Sequence, residues 1–200
     1  MTGPASSREK ILQCAKDLFY HVGYQSTSVD DILRACGVAK SNFYYHFKTK
    51  EDLAVAVLEL RIAEYEALIL GSLQNPVLTP AERLREFFDR VHQAQAKIAA
   101  RSGCPFGNFA AALPNPEKDA RYERFRLRLG EFFRRMEAAM QDCLAEGVER
   151  GEFRSDLSSQ EMAAFLVAVV QGLLILTKTY KDTAPLITGF AVVQQLLRAK

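Results

Sequence analysis

Apolar residues recur along this chain at the spacing of an α-helix, and the alternation of a half-buried strand is nearly absent. Ile11, Leu12, Ala15, Leu18, Phe19 and Val22 form one stripe that ends at Gly23, which predicts a first helix over about 7–22. In "STSVDDILRACG" the set Val29, Ile32, Leu33 and Cys36 follows Thr27 or Ser28 as N-cap, with Asp30 or Asp31 three residues on. That predicts a short second helix, about 28–36, stopped by Gly37. A third follows after a tight turn, over about 40–46, so helices two and three have the spacing of a helix-turn-helix.

The remainder is read the same way. A fourth helix over about 50–74 carries Leu53, Val57 and Leu68. A fifth, capped by Thr79 with Pro80 at its first position, runs to about 101. The glycines and prolines of "SGCPFGNFAAALPNP" predict a bent segment or one brief helix. A seventh helix, about 117–150, sets Phe125, Leu129, Phe132, Met136 and Met140 three and four apart. An eighth, about 158–182, is apolar nearly all round, and a ninth, about 184–199, shows Leu186, Phe190, Val193 and Leu197. The expected fold class is all-α, about nine helices: a three-helix, homeodomain-like head at 1–49 and a helical ligand-binding and dimerisation domain at 50–200.

A helix apolar on every side must be covered on every side. Helix eight is either the central helix of a monomeric bundle or half of a two-fold interface, and the second predicts a homodimer through helices eight and nine. Its partner-facing residues would be Phe165, Val169, Leu173, Leu176, Leu186, Phe190, Val193 and Leu197. Gln171 and Gly172 interrupt the apolar run, which argues for a buried helix over a membrane span.

Composition adds limits. Two hundred residues that are 48 % hydrophobic suffice for a well-buried core. The four cysteines, Cys14, Cys36, Cys104 and Cys143, form no Cys-x-x-Cys pair, which argues against a zinc ribbon or disulfide framework and suits a reducing cytoplasm. The N-terminus lacks a signal-peptide pattern. No phosphate loop or nucleophile elbow occurs, and Asp89 to His92 lacks the Glu-x-x-His companion a di-iron bundle needs, so neither an enzyme, a metal site nor a cofactor is expected.

Charge is more informative when divided. Residues 1–50 hold seven Lys or Arg against four acids, a net of +3, whereas the rest holds 19 against 20, a net of −1. The basic part contains "GVAKSNFYYHFKTKEDL", where Phe43 and Phe47 share one helical face and Tyr44, Tyr45 and His46 point elsewhere. Outward hydroxyls, ammonium groups and helix N-termini are the donors that hold phosphate oxygens of a duplex. The first residues of such a helix, Lys40, Ser41 and Asn42, are those that approach base edges in a major groove.

These residues carry a resemblance. "TSVDDILRACGVAKSNFYYHFKTKEDL" resembles the DNA-binding region of the TetR family of bacterial transcriptional regulators, over roughly residues 7–55. The resemblance implies nine or ten helices, a repressor binding a pseudo-palindromic operator as a homodimer, and release by a small effector. It also implies that Thr27, Ser28, Ser41, Tyr44, Tyr45, His46 and Lys50 contact the DNA backbone; Lys48 joins them by charge. Ala39 departs from the serine or threonine usual at the cap of helix three, an absence that costs about 1 kcal/mol of local helix stability. "SGCPFGNFAAAL" with "GLLILTKTYKD" is similar to a branch that includes electrophile-sensing regulators, which implies a sensor at Cys104 with Lys178 nearby; a packing cysteine is the plainer account. Phe87, Phe88, Val91, Phe106, Phe109, Phe125 and Phe165 are the expected pocket walls. The rival reading is a helical small-molecule-binding or adaptor protein that leaves DNA alone.

Overall fold

The computed structural model describes residues 6–112 and 122–198. Among them are nine α-helices and no β-strand beyond an isolated bridge between Phe153 and Arg198. The helices are α1 Ser7–His21, α2 Val29–Cys36, α3 Lys40–His46, α4 Lys50–Leu68, α5 Pro80–Lys97, α6 Pro105–Ala112, α7 Glu123–Glu149, α8 Ser159–Tyr180 and α9 Ala184–Leu197. The expected start of the seventh helix at 117 and the expected end of the ninth at 199 lie outside the described residues.

Local chemistry accounts for most boundaries. Ser28 accepts from the Asp31 amide at 3.1 Å while Asp31 accepts from the Ser28 amide at 3.0 Å, a reciprocal cap that starts α2. Gly37 ends it at φ 64°, a left-handed conformation that a Cβ disfavours. Thr79 and Glu82 cap α5 in the same way, with Pro80 at the first position. One boundary differs from the sequence pattern, since α4 stops at Leu68 instead of running to 74. Ser72 donates through its hydroxyl to the Ile69 carbonyl at 2.6 Å and through its amide at 3.1 Å, which tightens Leu70–Gln74 into a 3₁₀ turn ahead of Pro76.

The chain divides into two compact units. One comprises Met1–Ala63 with Pro105–Leu129, the other Glu64–Cys104 with Gly130–Lys200. In the first, α1, α2 and α3 pack on one another around Ile11, Ala15, Phe19, Ile32, Phe43 and Phe47. Aromatic edges extend that core, with Phe19 against Tyr24 at 5.2 Å and Phe109 against Phe125 at 5.1 Å. The expected boundary at 49/50 follows the helix-turn-helix pattern alone; the compact unit also takes in the first turns of α4 and all of α6, because Phe109 reaches Phe19 at 6.2 Å and Gln25 donates to the Ala112 carbonyl at 2.8 Å.

In the second unit α5 packs on α9 through Phe88 stacked on Phe190 at 4.2 Å, and α8 packs on α9. Gly189 permits that last approach, since a Cβ there would lie 2.5 Å from the Leu173 methyls. Arg83 is buried and satisfied, pairing with Glu146 at 2.6 Å and donating to the Asn75 carbonyl at 2.6 Å.

This packing corrects the expected partner-facing set. Leu186, Phe190, Val193 and Leu197 are buried within the chain's own core, because the side of α9 that carries them turns toward α5 and α8. Val169 and Leu173 are half-buried, and Phe165 and Leu176 are exposed. The uncovered apolar strip runs through Phe165, Ile175, Leu176 and Tyr180 of α8 and Ile187, Val192 and Leu196 of α9. At 22 residues α8 is long and apolar enough by length and composition to cross a membrane, and 28 % of its most apolar stretch is buried within the chain.

Candidate nucleic-acid interface

Helix α3 is only seven residues long, and its N-cap, Ala39, makes no side-chain hydrogen bond. So short a helix is marginal by itself. Phe43 and Phe47 hold it instead: both are buried, their ring centroids lie 5.9 Å apart, and the Arg8 guanidinium sits 5.5 Å from the Phe47 ring. Because the two phenylalanines occupy one face, Lys40, Ser41, Asn42, Tyr44, Tyr45 and Lys48 are left exposed together. Tyr45 is 83 % exposed, far from a packing role, while Tyr44 rests its edge on Phe43 at 5.2 Å and keeps its far side open.

Thr27, Ser28, Lys40, His46 and Lys50 of the expected contact residues are each engaged by the protein itself. Thr27 is 2 % exposed and donates to the Gly23 carbonyl at 2.8 Å, so it closes the loop between α1 and α2 and is corrected out of the surface set. Its neighbour Ser28 is exposed and donates its hydroxyl to Asp31 at 2.6 Å. His46 is half-buried, with Nε2 2.8 Å from the Ser7 hydroxyl. Lys50 lays its ammonium 4.3 Å from the centre of the Tyr24 ring, and partial burial lowers its pKa from the usual lysine value.

Lys40 is exposed but paired, donating to Asp30 at 3.0 Å. The hydrogen bond to Asp30, then its charge, raises the lysine pKa. Sequence reasoning missed Asp30 and Ser7 as partners of this surface. Asp30 lies ten residues from Lys40 and Ser7 lies 39 from His46, separations for which no helical spacing rule exists.

The expected effector residues are divided between the two compact units. Phe87, Phe88 and Val91 are buried on α5 in the second unit, whereas Phe106, Phe109 and Phe125 are buried in the first. Phe165, 49 % exposed on the outer side of α8, is corrected out of the set. Cys104 is buried just before α6. Lys178 is exposed, but its stem crosses the backbone beside that cysteine, 3.3 Å from where a Gly103 Cβ would stand. Burial, with the Cys104 thiol second, raises the Tyr65 phenol. Gln95 donates to the Gly103 carbonyl at 3.1 Å, while its own carbonyl oxygen and the Thr177 hydroxyl are buried without a protein hydrogen bond. Among the described residues no group of three or more His, Cys, Asp or Glu is placed to hold a metal ion.

Residues 11–57 match the family model of bacterial regulatory proteins, tetR family, and residues 80–191 match that of the tetracyclin repressor-like C-terminal domain. The chain is 29 % identical over 190 residues to the HTH-type transcriptional repressor DhaR of a Mycobacterium species, covering 95 % of this chain and 91 % of the relative. It is 28 % identical to the HTH-type transcriptional regulator LmrA of Bacillus subtilis, covering 96 % and 97 %. The crystal structure of regulatory protein TetR from Rhodobacter sphaeroides superposes with a TM-score of 0.84 at 24 % identity, covering 96 % of this chain and all of that one. The reduced form of Escherichia coli NemR gives 0.80 at 22 % identity, covering 96 % and 97 %.

Proposed function

The chain belongs to the tetR family of bacterial regulatory proteins and is a DNA-binding, ligand-responsive transcriptional regulator, and from that premise we propose that it is a homodimeric repressor reading its operator through α3. In this reading residues 1–49 carry DNA and residues 50–200 carry the effector and the partner subunit. Two copies of α3 enter successive major grooves of a pseudo-palindromic site, with half-sites roughly 34–36 Å apart. Lys40, Ser41 and Asn42 face base edges. Ser28, Tyr44, Tyr45, Lys48 and Lys50 face phosphates, and His46 braces α3 against Ser7.

The observation that carries this is the single outward cluster of amines, amide and hydroxyls on a helix anchored by Phe43 and Phe47. The uncovered strip on α8 and α9 supports the homodimer, since contiguous exposed apolar area on a soluble chain calls for a partner. The unmatched Gln95 carbonyl and Thr177 hydroxyl support an effector that offers a hydrogen-bond donor within an otherwise apolar bundle. Modification of Cys104 remains the alternative means of release. No catalytic residue is assigned, and the working compartment is the cytoplasm, where the operator is.

Selection from random duplexes followed by fluorescence anisotropy tests the reading. The purified protein should enrich a palindromic site, and Tyr44→Ala should weaken selected and unselected duplexes alike, because a phosphate contact carries no sequence information. No enrichment, together with unchanged binding by Tyr44→Ala, would refute it.

A further inference from the structure

Two acids lie in the first turn of α2, and the structure uses them differently. Asp31 turns back to cap the helix, accepting from the Ser28 amide at 3.0 Å and the Ser28 hydroxyl at 2.6 Å, and it also accepts from Arg34 at 3.3 Å. Asp30 takes no part in that cap. Across the turn at Gly37 it accepts from Lys40 Nζ at 3.0 Å, and the pair stays open to solvent, with 59 % of the lysine side chain and 64 % of the aspartate side chain exposed. An ion pair so exposed adds little to stability. An acid at the start of a DNA-reading helix also weakens the general attraction to phosphates. Such a pair lowers affinity for an arbitrary duplex, and its use is to discriminate among duplexes.

We propose that Asp30 is a specificity-determining residue, which together with Lys40 reads one G·C base pair in each operator half-site, so that α2 as well as α3 takes part in base readout. This inference rests on the reading of α3 as the recognition helix. In the major groove guanine presents the acceptors O6 and N7, and the cytosine paired with it presents the N4 amine. A lysine ammonium only donates and a carboxylate only accepts. Held side by side at 3.0 Å, the two form a donor and acceptor couple whose order suits that edge: Lys40 donates to O6 or N7, and Asp30 accepts from N4.

The alternatives fit less well. A reversed C·G pair sets the amine against the ammonium and the two acceptors against the carboxylate. An A·T pair offers no two adjacent acceptors and adds the thymine methyl group. On docking, each side chain takes a base as partner while the opposite charge stays next to it, so neither charge is buried unpaired. Asp30 also positions Lys40. A lone ammonium on a flexible four-carbon stem would serve any nearby phosphate or base, whereas the carboxylate holds it at the first residue of α3.

The test is selection from random duplexes with the full-length protein and with its Asp30→Ala and Lys40→Ala variants, followed by anisotropy on the selected site and on copies altered at single base pairs. Half-sites selected by the parent protein should share an invariant G·C pair whose exchange for A·T weakens binding about tenfold or more. In both variants that same pair should become variable, with the effect of the exchange falling to about twofold or less, while the other positions keep their preferences. Asp30→Ala should also bind an unselected duplex more tightly than the parent, because an acid has left the surface, and this gain shows that the variant is folded. The inference is overturned, with the role of α3 intact, if no G·C pair is invariant, if the two variants relax different positions, or if Asp30→Ala strengthens every duplex by one factor and selects the parent's site unchanged. A parent protein that selects no site overturns the reading of α3 beneath it.

Discussion

Removing one lysine from the head should change how binding responds to salt by an amount that can be worked out beforehand. Each head presents two ammonium groups placed at phosphates, Lys48 in the open and Lys50 over the Tyr24 ring. If each neutralises one phosphate, a dimer makes about four such contacts, and log K should fall against log salt with a slope of about −3.6. Raising salt from about 50 to 200 mM then costs about 10²-fold in affinity. Lys48→Ala removes about two contacts per dimer, so the slope should ease to about −2 and the same change of salt should cost only about tenfold. Lys48 is exposed and no hydrogen bond or ion pair is described for it, so the substitution leaves the fold intact and the difference reports on DNA alone. Anisotropy of a labelled duplex across a salt series measures both slopes. An unchanged slope in the variant would refute the placement of Lys48 at a phosphate, and a slope near zero for the parent protein would refute the interface.

Two further outcomes follow from the second unit. Ile175→Glu, at a position 65 % exposed in the single chain, should leave the monomer folded yet bury two unpaired carboxylates in a two-fold dimer. Its dissociation constant should rise by more than about a hundredfold, equivalent to about 3 kcal/mol, as read by light scattering across a dilution series; a dimer unaffected by the change would place the partner surface elsewhere. The Cys143 thiol is pushed up to about 11, chiefly by burial, so maleimide labelling of the folded protein should be slow at neutral pH and accelerate toward that value. Because the folded value is raised, the thiol's contribution to stability is full below the unfolded value of about 8.5 and is lost as pH rises through about 11. Replacing Cys143 by Ala should therefore remove part of the decline in denaturation midpoint over that window, and an identical decline in both proteins would rule out this cause.

Caps and anchors were legible in the chain because they depend on residues within a few positions of each other. Thr27 or Ser28 with an acid three residues on, Thr79 just before Pro80, and Phe43 with Phe47 each follow from a short spacing, and the structure sets Ser28 with Asp31 and Thr79 with Glu82 as the caps. The absence of a side-chain cap before α3 was equally legible, from Ala39 alone. The end of α4 was less so, since Leu70 and Leu73 continue a helical apolar period and only the Ser72 hydroxyl, turned onto the Ile69 carbonyl, reveals the tighter turn. Thr27 misled because a threonine at a helix start reads as a cap or a phosphate contact, whereas its hydroxyl is spent on Gly23 and Ser28 takes the cap.

By itself the sequence determined what is local: the amphipathic or apolar helices, where most of them begin, and a head that crowds hydroxyls and amines just past a left-handed glycine. Periodicity and capping act over one or two turns, so twenty or thirty residues contain all the information they need. Only the tertiary structure decided which side of α9 faces its own core, so that Phe190 stacks on Phe88 while Ile187 and Leu196 remain uncovered. It alone paired Lys40 with Asp30 and set His46 beside Ser7. The physical reason is common to all three: an apolar stripe states that a face must be buried but not against what, and the partner is chosen by packing among elements far apart in the chain.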